Sequence, residues 1–111
     1  MSSEAFKAYL AELSADYCKA LPAKLSEIEE AWAELKDGTR PAAGLAELQR
    51  LLHSIAGSAQ TFGLPAVSRA AKEAESFVEP FAMQKSLPPA ESHQQLDEFL
   101  RILAAVSPKE G

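Results

Sequence analysis

A chain of 111 residues, 47% hydrophobic and 24% charged, suits one domain over residues 1–111 with a real though small core. A net charge of −5 without a basic stripe argues against nucleic acid as a partner, and no apolar run approaches the roughly 20 residues of a membrane span. Two distant histidines and one cysteine make neither an internal disulfide nor a metal-ligand cluster, and Met1–Lys7 lacks the basic-then-apolar layout of a signal peptide, so a cytoplasmic protein is expected.

Ser2 and Ser3 can cap a first helix over 4–20, in which Phe6, Leu10, Leu13 and Tyr17 recur at helical spacing. Cys18 beside that stripe reads as a half-buried filler. Pro22 disfavours helical geometry at Leu21, so a break is expected there. A second helix then covers 22–37, with Leu25, Ile28, Trp32 and Leu35 inward and Glu27, Glu29, Glu30 and Glu34 on a solvated face. Gly38 stops that helix and Pro41 opens a third, over 41–62, which Gly63 ends.

Pro65 opens a fourth helix, 65–79, whose Val67, Ala70, Ala71, Ala74, Phe77 and Val78 face inward. The short Gly63-Leu64 connection makes the third and fourth helices antiparallel neighbours. Counting back from that hairpin, residues 72–75 lie level with His53, so Lys72 and Glu75 can approach the imidazole. Prolines 80, 88 and 89 bracket an expected loop over 80–88, pinned by Phe81 and Met83. A fifth helix, 89–106, turns Leu96, Phe99, Leu100, Leu103 and Val106 inward and carries His93 as a surface residue. No strand alternation or internal repeat is visible. The fold class is all-α: an antiparallel four-helix bundle with an additional N-terminal helix packed at one end.

The third helix organises the rest. At roughly 100° per residue, Leu48, Leu51, Leu52, Ile55, Ala59 and Phe62 fill an arc about 120° wide. His53 lies almost opposite, among Ala46, Gln49, Arg50, Ala56, Gly57 and Gln60. Gly57 stands one turn beyond it on the same face, although glycine inside a helix costs about 0.5–1 kcal/mol relative to alanine. Two readings fit: room for a partner's active site, or close packing by a neighbouring helix.

The string from His53 to Gly63, His-Ser-Ile-Ala-Gly-Ser-Ala-Gln-Thr-Phe-Gly, resembles the phosphoacceptor helix of histidine-containing phosphotransfer (HPt) domains. The versions that open CheA-type chemotaxis kinases are especially similar. His53, Gly57 and Gly63 match the family pattern, Ser54, Thr61 and Phe62 match common choices, and Ala70, Ala71, Ala74 and Glu75 fit the next family helix. Ala56 departs from it, standing where most members carry a lysine that would help neutralise incoming phosphate.

The resemblance implies a phosphorelay carrier, with no kinase domain of its own. His53 would exchange a phosphoryl group with response-regulator receiver domains fed by a sensor histidine kinase. No cofactor is implied on this chain; Mg2+ is expected on the receiver. By the same resemblance Glu75 holds the position of a carboxylate that orients the imidazole. Without a lysine at 56, charge can come from Arg50 or Lys72 and a hydrogen bond from Gln60; Gln49 completes the binding set around Ala56 and Gly57. A monomer is expected. Two other readings remain: a helical adaptor that kept the fold without the chemistry, and the isolated phosphoacceptor domain of a larger CheA-like kinase.

Overall fold

The computed structural model describes residues 2–108. Its helices are α1 (Ser3–Lys36), α2 (Pro41–Thr61), α3 (Pro65–Gln84) and α4 (His93–Val106), the last entered through a single 3-10 turn, Ala90–Ser92. No strand occurs among the described residues. The four helices form an all-α antiparallel bundle.

The break expected at Leu21–Pro22 does not occur: both N-terminal helices are one 34-residue α1. Pro22 faces solvent and leaves only the Cys18 carbonyl without its helical donor. Tyr17, Leu21, Ile28, Trp32 and Leu35 are all buried along one side. Burial of such side chains on both sides of the proline, about 1.5–3 kcal/mol each, outweighs the roughly 3 kcal/mol proline penalty. Ser2 caps the start, its hydroxyl accepting from the Ala5 N–H at 3.1 Å.

At 1.5 Å per residue α1 is about 51 Å long and sets the 52 Å long dimension of the molecule. α2 is about 31 Å long and pairs with only part of it. The first predicted helix therefore packs on the bundle only through its C-terminal part, around Tyr17, and its first turns do not. Residues 2–12 are all exposed, with Phe6 at 51% and Tyr9 at 52%, because α2 and α3 turn back at Gly63, beside Tyr17. The apolar periodicity that folds the rest of α1 into the core thus continues past the end of what could cover it.

Gly63, at φ +80°, ends α2 in a conformation that strains any L side chain, and the Leu64 N–H donates back to the Ala59 carbonyl. The antiparallel α2–α3 hairpin is tied lower down by Ser68, whose buried hydroxyl donates to the Ala56 carbonyl. Leu48, Leu52, Ile55 and Ala59 from α2 meet Val67, Ala71, Ala74 and Val78 from α3, with Leu96 and Leu103 from α4 completing the core. Tyr17 joins α1 to α2 through a 2.8 Å hydrogen bond to Ser58 and a stack on Phe62, which is half-buried.

α3 also runs through its internal proline, Pro80, to Gln84, so the expected 80–88 loop is shortened to 85–89. Phe81 holds this last turn by packing on Phe77, which in turn meets Phe99 of α4. Met83 pins nothing; it is 74% exposed, and Val106 likewise points outward. His93 is half-buried instead of a free surface residue: its Nε2–H donates to the Pro88 carbonyl at 3.0 Å and its ring meets the edge of Trp32. Trp32 is the hub of that end, its indole N–H donating to Asp97 at 2.6 Å. The indole and the nearby Lys36 ammonium hold the Asp97 carboxyl below the usual aspartate range.

Candidate functional site

His53 stands on the outer face of α2, its side chain 78% exposed, while Leu52 and Ile55 on either side of it are sealed in the core. The helix cannot rotate the imidazole inward without pulling those two out. On α3, Ser68, Lys72, Glu75 and Glu79 recur at steps of four, three and four, so they share the face turned toward His53.

Glu75 reaches across and places Oε2 2.8 Å from His53 Nδ1. A carboxylate only accepts, so Nδ1 carries the proton and donates. Nε2 is then the nitrogen with a lone pair, on a ring held at one end and open at the other. The Glu75 side chain is only 15% exposed, so it is steadied by the wall of the hairpin.

Two shallow hollows flank the imidazole. The one toward the N-terminus of α2, about 430 Å3, is lined by Ala46, Gln49, Arg50, His53, Glu75 and Glu79. The other, about 250 Å3, lies between His53 and Ala56, Gly57, Gln60, Ser68, Lys72 and Glu75. All the expected site residues line one or the other. They are not equally available: Arg50 is clamped on Glu47, donating through Nε at 3.2 Å and Nη2 at 2.7 Å. That pairing holds the Glu47 carboxyl below its ordinary range. Lys72 forms no ion pair among the described residues.

Gly57 settles the choice between its two readings against close packing. A Cβ built there meets nothing within 4 Å, so no neighbouring helix needs the gap. The closely packed glycine of α2 is Gly44, whose Cβ would lie 2.7 Å from Leu35 Cδ2.

Ser68, Glu79 and Glu47 are absent from the sequence-based set. The first two share the α3 face of Lys72 and Glu75, and the i,i+3 spacing of Glu47 and Arg50 is itself a pairing signal. No group of three His, Cys, Asp or Glu side chains among the described residues could hold a metal ion, and no described helix is long and apolar enough to cross a membrane.

Fold and site together make an all-α bundle that displays one oriented, solvent-exposed histidine. Residues 12–107 match the sequence profile of the Hpt domain. The chain belongs to the Hpt (histidine-containing phosphotransfer) domain family. The match begins where α1 starts to meet the bundle and leaves out its exposed first turns. No curated protein and no solved structure gives a significant match.

Proposed function

We propose that the protein is a phosphorelay carrier that accepts a phosphoryl group on His53 and exchanges it with an aspartate of receiver domains. The observation that carries this reading is the Nδ1–Glu75 hydrogen bond on an otherwise exposed ring. With the proton on Nδ1, the Nε2 lone pair attacks phosphorus in an aspartyl phosphate. The Nε2–P bond forms, the P–O bond breaks, and the aspartate carboxylate leaves with the electron pair. The Nδ1 proton stays, shared with Glu75, which balances the positive charge the ring acquires. The reverse step returns the group to an aspartate.

Phosphoryl transfer depends chiefly on positioning and charge stabilisation, so a carrier needs little machinery of its own. Mg2+ and its acidic pocket come with the receiver, and a sensor histidine kinase supplies phosphate at the head of the chain of transfers. The open flank at Gly57 leaves space for that pocket to close over the ring. Glu75 is a positioning residue here, acting through the imidazole.

Incubation with phosphorylated receiver domains, comparing the wild type with His53→Gln, tests the proposal. Acid-labile, base-stable label on the wild type and none on the variant is expected. A wild type that stays unlabelled with every receiver and kinase of its source organism returns the protein to the adaptor reading.

A further inference from the structure

We infer that Lys72, reaching across the hairpin from α3, is the cation that binds the phosphoryl group on His53, so that the group sits over Gly57. This rests on the phosphoacceptor reading above and adds which flank of the ring the phosphoryl oxygens occupy.

The argument compares the two hollows. A phosphoryl group on a histidine nitrogen brings three acceptor oxygens and close to two negative charges near neutral pH. On the N-terminal flank it would meet Glu79, a carboxylate, and Arg50, whose guanidinium is already spanned by Glu47. Recruiting Arg50 there would strand Glu47. On the C-terminal flank it meets Lys72, uncommitted among the described residues, and the amide of Gln60, while Gly57 presents no side chain to displace. Ser68 lines the same hollow, but its hydroxyl proton is committed to the Ala56 carbonyl. Ala56 on α2 contributes only a methyl group. The charge that α2 lacks beside its own histidine is therefore supplied by α3, from a point charge on a flexible stem that can follow the oxygens.

Phosphoramidate, a small donor, tests this without any protein partner. Nε2 attacks phosphorus, the P–N bond breaks, ammonia leaves with the bonding pair, and Nδ1 keeps its proton. Loading of His53 is followed by 31P NMR in wild type, Lys72→Ala, Lys72→Arg, Arg50→Ala and the double variant Lys72→Ala/Ala56→Lys. For loss of one exposed cation, Lys72→Ala should load about three- to fivefold more slowly, with the gap closing in high salt. Its phosphohistidine resonance should titrate at higher pH than that of the wild type, because an ammonium beside the group favours its dianion. Lys72→Arg and the double variant should both recover, the latter because a lysine at 56 restores charge from the other wall.

If the wild type loads and Lys72→Ala matches it in rate and titration, or Arg50→Ala is the slower variant, the inference is wrong while the carrier proposal stands. If neither phosphoramidate nor any phosphorylated receiver labels the wild type, both fall together.

Discussion

The same substitution at two glycines of α2 should change stability in opposite directions. At Gly57 a new Cβ meets nothing within 4 Å, so Gly57→Ala keeps the helix geometry and removes backbone freedom from the unfolded chain. Stabilisation of about 0.5–1 kcal/mol follows. At roughly 4 °C per kcal/mol for a chain of this size, Tm should rise by about 2–4 °C. Gly44 starts from the same propensity gain, but its Cβ would lie 2.7 Å from Cδ2 and 3.1 Å from Cγ of Leu35. Leu35 is 1% exposed, so its side chain can give way only by repacking within the core. Overpacking of this kind costs about 1–3 kcal/mol, so Gly44→Ala should come out about 1 kcal/mol less stable than the wild type. Urea unfolding followed by circular dichroism measures both. The functional half of the prediction uses a larger side chain: Gly57→Leu should fold with undiminished stability yet accept phosphate from a receiver at least tenfold more slowly, because the leucine occupies the flank of the imidazole. Destabilisation by Gly57→Ala would mean that the flank is not open. Wild-type transfer in Gly57→Leu would mean that the opening has no use.

Glu75→Ala should slow acceptance from a receiver about tenfold and lower the Nδ1–H fraction of His53 seen by 15N NMR, while Glu75→Gln, still able to accept from Nδ1–H, should keep more of both. Asp97→Ala should cost about 1–3 kcal/mol by leaving the buried Trp32 indole N–H without its acceptor, and the fluorescence of this single tryptophan reports it. The Asp97 carboxyl is depressed in the folded protein, so its contribution is complete above the ordinary aspartate value of about 3.9. It should fade as pH falls through the lower folded value. Acid titration of Trp32 emission checks the direction, and Asp97→Asn should flatten that step. Removal of residues 2–11 should leave the urea midpoint within experimental error, since none of them is buried. Leu21→Ala, inside the same helix, should cost about 2–5 kcal/mol.

The amino-acid sequence by itself determined the all-α class, the positions of the α2 and α3 starts at Pro41 and Pro65, the Gly63 stop and the outward face of His53. All of these follow from periods and punctuation that act within a few residues. The level of Glu75 with His53 was legible too, because a two-residue connection leaves a hairpin little choice of register. Only the tertiary structure decided that Pro22 and Pro80 lie inside helices, since a local penalty of a few kcal/mol is overruled by burial against residues far away in the chain. It alone decided that the Phe6–Leu10 stretch has nothing beside it, and that Gly44, not Gly57, is the glycine required by close packing. The fates of the two cations depend on it as well. Arg50 is taken by a neighbour one turn away, whereas Lys72 is left uncommitted because the carboxylate one turn along its own face of α3, Glu75, is turned toward the imidazole. A one-dimensional pattern tells which side of a helix a residue faces; what stands opposite it is a property of the packed bundle.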